Sequence, residues 1–270
     1  RRFKPSSATH LSVRSARSAR VVLVPSKRLT PRDWLSSQPC RDKSHLYVVM
    51  SNASEANPLH AYYQQPFAIT PLPIWDGTPY ADWQAVMPFL GELPPDSPFL
   101  DWVEQAAEED WGWLASSPYS AETVLEHLKG LTQVCMPDAS EVFFRFWDGR
   151  HLLPILSRLG AKAGELLPVF DRYLINGQGL EIALPELIPA KPYPWWQVPA
   201  SLLGKLNEQD PTPLVDNLMQ WLREDHAELY FAFPEPNLRL KTEHFVRHGQ
   251  HTEDTLAGRF KAHLEQELTR

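Results

Sequence analysis

Residues 141–156, EVFFRFWDGRHLLPIL, contain the strongest fold signal in the chain. Nearly every side chain from 142 to 147 is aromatic or β-branched, a composition that favours a β-strand. Because side chains alternate along a strand, this segment would be apolar on both faces. A strand of that kind belongs in the middle of a sheet that is covered on both sides. We therefore expect residues 142–147 to form the central strand.

The residues that follow this strand predict an amphipathic helix. Asp148 is placed to cap it, because its carboxylate can accept hydrogen bonds from backbone N–H groups of the first turn. Leucine and isoleucine then recur at helical spacing between residues 152 and 159. Pro154 would introduce at most a local kink. A buried strand that runs directly into such a helix predicts an α/β (α+β) fold.

Three charged residues surround the junction of this strand and helix. Arg145 interrupts the apolar strand, and a buried charge requires a partner. Asp148 follows three residues later, so we predict a structural ion pair that holds the strand against the helix. Arg150 lies in the first helical turn, where a cation is unfavourable for the helix dipole, so an acid across the sheet or a partner protein must hold it. We predict that all three contact a partner.

Further segments complete the same lobe. LYVVM (46–50) and WGWLASS (111–117) are predicted to be strands, and Ser120 is predicted to cap a helix over residues 121–131. Asn-Gly at 176–177 lies between two apolar runs, which is the strongest short-range signal for a β-hairpin. Together these patterns predict a lobe in which a mixed β-sheet is flanked by helices.

Composition divides the chain into three regions. Residues 1–43 lack hydrophobic periodicity and contain eleven Lys or Arg but only two acidic residues, which predicts a basic, disordered tail. Residues 44–190 are predicted to form the α/β lobe, and residues 191–270 a smaller helical lobe. The stretch 185–200 contains five prolines and is predicted to link the two lobes.

Two tryptophans lie within this linker and admit two interpretations. Trp195 and Trp196 either fill the seam between the lobes or stand exposed as anchors for a partner protein. We include both among the predicted partner-binding residues.

Charge and motif content disfavour several classes of function. Outside the basic tail the chain has 15 basic and 31 acidic residues, and a body this acidic repels phosphate backbones, so nucleic acid is not an expected partner. No run of 18 apolar residues is present, so no membrane partner is expected. No phosphate-binding loop, nucleophile elbow or zinc-protease motif occurs. We therefore predict no catalytic residue, no metal and no cofactor.

One histidine group supplies the alternative. His244, His248 and His251 are spaced so that three imidazoles could share one helix face. A metal centre there would need a continuous helix and a fourth ligand, and Gly249 weakens the helix between them. A solvated face is the preferred interpretation, and a metal-dependent or other hydrolase is the alternative function.

Four segments resemble, in the same order, motifs of the type VI secretion effector-adaptor family, the Tap/TEC chaperones. They are HLYVVMSNAS (45–54), IWDGTPYADWQAVMPFLGEL (74–93), WGWLASSPYSAETVLEHLKGLTQV (111–134) and the stretch 141–156. The last is similar to the family signature FR[FW][YW]DPR, which this chain matches from Phe144 to Asp148 and at Arg150. Gly149 stands where the family has proline.

This resemblance implies a non-enzymatic, cytoplasmic protein. Members of the family bind a toxic effector before its secretion and load it onto the VgrG spike. The expected partners are therefore a secreted effector protein and VgrG. The resemblance covers about 45–175 well and the helical region only weakly.

Overall fold

The computed structural model describes residues 28–37, 44–66, 68–185, 194–209, 211–248 and 256–269. It has the predicted α/β (α+β) class, with a six-stranded sheet flanked by helices and a C-terminal helical lobe. The strands are β1 (His45–Ser51), β2 (Leu72–Pro73), β3 (Pro88–Leu93), β4 (Gly112–Ser117), β5 (Gln133–Cys135), β6 (Glu141–Phe143), β7 (Arg172–Ile175) and β8 (Gln178–Glu181). The helices are α1 (Pro31–Ser37), α2 (Pro58–Tyr63), α3 (Phe99–Gln105), α4 (Ala121–Gly130), α5 (Gly149–Leu159), α6 (Ala163–Leu166), α7 (Ala200–Gln209), α8 (Thr212–Asp225), α9 (Ala227–Phe231), α10 (Glu235–His248) and α11 (Leu256–Leu268).

The six-stranded sheet has the order β2-β3-β1-β4-β7-β8, and its strand pairs are antiparallel. β1 and β4 lie at its centre and are almost entirely buried. Tyr47 and Trp113 belong to the core on one face of the sheet, whereas Val48 and Leu114 belong to the core on the other face. This alternation is the period-two pattern of a strand covered on both sides, and the strand predicted at residues 46–50 is confirmed.

The prediction that residues 142–147 form the central strand is wrong. β6 ends at Phe143 and, among the described residues, pairs only with β5, in a separate two-stranded sheet, and its three side chains are exposed. After β6 the chain turns, because the N–H of Phe146 donates to the carbonyl of Phe144 at 2.9 Å. Both of these phenylalanines and Trp147 are nevertheless buried. The aromatic composition therefore indicates burial of this segment but not pairing within the main sheet.

Three local predictions are confirmed. The carboxylate of Asp148 accepts a hydrogen bond from the N–H of Arg150 at 3.0 Å and caps α5. Ser120 caps α4 in the same way. Asn176 and Gly177 join β7 to β8 with φ values of 50° and 75°, the left-handed conformation that a tight hairpin turn requires.

The prediction of a disordered tail is wrong for residues 28–37. The ring of Trp34 in α1 is 2% exposed, and the guanidinium of Arg172 lies 5.0 Å from its centre. Arg172 also donates to the carbonyl of Trp34 at 2.7 Å. Burial of the apolar Trp34 side chain stabilises the packing of α1 against the lobe, although the surrounding sequence is basic. Residues 1–27 and 38–43 lie outside the described part of the chain.

The predicted helical lobe is present, and it has its own core. Of the residues that the structure describes, nine buried side chains form this core, and they lie on α8 to α11. The apolar side chains of α7, by contrast, pack into the core of the α/β lobe, where Leu202 joins Trp196. The linker prediction falls partly on residues 186–193, which lie outside the described ranges.

In the part of the chain that the structure describes, no helix combines the length and the apolar character needed to span a membrane.

Candidate functional site

A completely buried carboxylate organises the start of α5. Asp148 accepts hydrogen bonds from the Nη2 of Arg145 at 3.0 Å, and from the Nε and Nη2 of Arg150 at 3.1 and 2.8 Å. It also accepts the backbone bond that caps the helix. The predicted pair between Arg145 and Asp148 is therefore present, and Arg150 joins it because its own side chain folds back over the first turn.

Hydrogen bonding keeps this buried carboxylate charged. Burial by itself raises the pKa of Asp148, but hydrogen bonds from the side chain and backbone of Arg150, and the positive charges around it, hold the pKa below its ordinary value. The side chains of Arg145 and Arg150 remain 52% and 48% exposed. One buried anion thus holds two guanidinium groups in place at the surface.

A second acid holds Arg150. Its Nη2 lies 3.3 Å from a carboxylate oxygen of Asp110, which precedes β4 and accepts a hydrogen bond from the hydroxyl of Ser54 at 2.7 Å. The sequence predicted that an acid across the sheet or a partner protein would hold Arg150, and Asp110 is an acid that does so.

The imidazole of His151 flanks the same carboxylate. Its Nε2 lies 3.7 Å from Oδ2 of Asp148. Partial burial lowers the pKa of His151, Asp148 opposes that shift, and the cations of Arg145 and Arg150 reinforce it. The lowered pKa favours the neutral imidazole at pH 7, which adds no positive charge beside the two arginines.

An exposed group of aromatic side chains, which we call the aromatic patch, lies beside β6. It consists of the exposed Trp83 and Phe143 and the partly buried Tyr80, with Trp75 buried beneath them. The ring of Phe143 stacks on Trp83 with centres 5.5 Å apart and meets Tyr80 edge-on at 4.7 Å. Trp83 is 49% exposed and Phe143 is 39% exposed. The patch therefore presents apolar area in fixed positions.

The aromatic patch and the two arginines meet at one end of the central sheet. β1 ends at Ser51, and the next residue, Asn52, donates from its side chain to the carbonyl of Gln84 at 2.9 Å, which fixes the loop that carries Trp83. Because β4 runs antiparallel to β1, Asp110 lies at the same end, and it contacts Arg150. Sequence reasoning missed the patch, since it assigned Phe143 to the core.

The linker tryptophans have different environments. Trp196 is 7% exposed, and its ring stacks on Phe144 with centres 5.6 Å apart. Its carbonyl also accepts a hydrogen bond from the N–H of Cys135 at 2.9 Å. Trp195 is partly buried beside the ring of His127. Trp196 thus lies in the core of the α/β lobe and is not an exposed side chain.

The histidine group lies only partly within the described residues. His244 is on α10, whereas His251 and the side chain of His248 fall outside them. Among the described residues, no three His, Cys, Asp or Glu side chains come together as metal ligands would. The alternative that rests on this group therefore stays a prediction.

Comparison with known proteins gives one similarity. A family model described as a domain of unknown function, DUF4123, matches residues 46–163. The match is shorter than half of the chain, and it contains Arg145, Asp148, Arg150 and the aromatic patch. No curated protein and no solved structure matches the chain.

Proposed function

We propose that the protein is a cytoplasmic adaptor chaperone that binds a type VI secretion effector and loads it onto the VgrG spike. The observation that carries the proposal is the surface at the end of the central sheet, where Arg145 and Arg150 accompany the aromatic patch. Tryptophan, tyrosine and arginine are the residues that contribute most to protein–protein binding energy.

The two arginine side chains of this surface are already held in place before a partner binds, and this favours binding. A long arginine side chain normally loses rotamer freedom when it contacts a partner. Here Asp148 already restrains both guanidinium groups through hydrogen bonds, so part of that loss occurs on folding. Each arginine is still about half exposed and has further donors for a carboxylate on the partner.

The biological context of the proposal comes from the four motifs that resemble the Tap/TEC family. They lie between residues 45 and 156, within or beside the segment that matches DUF4123. The acidic character of the chain outside residues 1–43 is compatible with a protein client and disfavours nucleic acid.

We expect Arg145→Ala to weaken effector binding by about tenfold, because the substitution removes an ordered donor from the surface. The tagged full chain is used to recover partners from the source bacterium, and affinity is then measured with the purified effector. Arg32→Ala is the matched control, since Arg32 is 50% exposed and also ion-paired, with Asp101 at 2.7 Å. Recovery of neither an effector nor VgrG from cells that express the secretion system would contradict the proposal.

We expect the purified protein to contain no stoichiometric metal. Elemental analysis after purification without chelators measures this directly. If the native protein contained about one transition-metal ion per chain and the His244→Ala variant contained none, the hydrolase alternative would be favoured instead.

A further inference from the structure

The outer edge of β6 carries unused backbone groups. Hydrogen bonds in an antiparallel ladder alternate between neighbouring residue pairs. The N–H of Phe144 donates to Thr132 at 3.0 Å and that of Met136 donates to Ser140 at 2.8 Å, which fixes the phase of the ladder between β5 and β6. Residues 141 and 143 must therefore direct their N–H and C=O groups away from β5.

Nothing in the described residues covers this edge. β6 is the second strand of a two-stranded sheet, and its three residues are exposed. The other side of β5 is occupied, because Cys135 exchanges backbone hydrogen bonds with Trp196 and Val198 at 2.9 and 2.8 Å. An uncovered edge is a template on which another extended chain can pair.

The side chains along the edge define what could bind there. Phe143 brings the aromatic patch to the edge, so apolar side chains of an added strand would be buried against it. Glu141 stands at one end of this stretch and the half-exposed Arg145 at the other. A uniformly acidic segment would be repelled by Glu141, so the charge pattern fits apolar residues with an acid placed toward Arg145.

We propose that an extended segment of the client protein adds to β6 as a strand, with alternate apolar side chains on the aromatic patch and an acidic side chain at Arg145. This inference rests on the proposed function, since it names the mode by which the client is held. A second copy of the chain fits less well, because two three-residue strands would exchange very few hydrogen bonds. A longer client segment can extend beyond β6 at either end.

The test places a photo-crosslinking amino acid at Trp83 of the full chain in the source bacterium, and at Phe231 in a control. Phe231 is an aromatic residue of α9 that is 75% exposed. We expect crosslinks to the effector from position 83 and none from position 231. The crosslinked peptide should contain alternating apolar residues and an acidic residue.

A matched pair of substitutions measures the contribution of the edge. Phe143 and Val142 are 39% and 38% exposed, and they point to opposite faces of β6. We expect Phe143→Ala to weaken binding of the crosslinked effector by about tenfold and Val142→Ala to change it by less than about twofold.

The possible outcomes separate the two proposals. If the tagged chain recovers effector and VgrG but position 83 gives no crosslink, or crosslinks only to a second copy, strand addition is overturned and the adaptor function stands. If position 83 crosslinks to a segment of the expected pattern in a protein that is neither effector nor spike, strand addition stands and the adaptor function is overturned. The absence of both partners and crosslinks overturns both.

Discussion

Trp113→Ala is expected to lower the free energy of unfolding by about 4 kcal/mol, within the range for removing a tryptophan from a core. Trp113 lies in β4 at the centre of the sheet and is completely buried. Its ring meets Phe170 edge-on with centres 5.3 Å apart, and its indole N–H donates to the carbonyl of Phe146 at 2.8 Å. Alanine would leave a cavity there and remove the donor that holds the turn after β6.

Urea unfolding of the α/β lobe, monitored by circular dichroism, measures this effect. Trp83→Ala is the matched control, because it removes the same side chain from a site that is 49% exposed and should cost about 1 kcal/mol or less. Trp113→Phe keeps an aromatic ring but leaves the carbonyl of Phe146 without its donor, at an expected cost of about 1–3 kcal/mol. Equal losses for Trp113→Ala and Trp83→Ala would show that the centre of the sheet is not where we place it.

The parts of the fold that depend on local chemistry could be predicted from the sequence. The cap at Asp148, the hairpin at Asn176-Gly177 and the strand around Val48 each follow from interactions between residues close in the chain. The pair between Arg145 and Asp148 belongs to the same class, since three residues separate its members.

The parts that depend on distant contacts could not be predicted. An alternating aromatic pattern is satisfied both by a central strand and by a turn that buries its rings, and only pairing with other strands distinguishes them. Phe143 is exposed because no other described element covers β6. Asp110 precedes β4 and lies 40 residues before Arg150 in the chain, so the sequence required an acid but could not identify it. Trp34 was overlooked because a basic composition averaged over residues 1–43 hides one short helix.

Asp148→Ala is expected to destabilise the protein by about 3 kcal/mol, since it removes a helix cap and several charge-assisted hydrogen bonds from a buried site. Both arginines would lose the anion that orders them. Partner affinity should therefore fall even under conditions in which the variant is fully folded. Thermal and urea unfolding give the stability, and binding of the effector is measured at a temperature where both proteins are native.

The Asp148→Asn variant distinguishes the stability contribution of the carboxylate charge from that of the helix cap. Its difference from the native protein should depend on pH. Asparagine can still accept the backbone hydrogen bond of Arg150 but carries no charge, so we expect a smaller loss, of about 1–2 kcal/mol at pH 7. The pKa of Asp148 in the folded protein is below its ordinary value of 3.8, so the unfolded chain binds a proton more readily. The advantage of the native carboxylate over asparagine should be constant above about pH 5 and should shrink as the pH falls through about 4 toward the folded pKa. Both proteins are compared in a His151→Gln background, because the charge of Asp148 raises the pKa of His151 and this coupling is lost in the Asp148→Asn variant. An advantage that grew on acidification would mean that Asp148 is held in its protonated form, and Arg150 would then be positioned by Asp110 and not by the buried carboxylate.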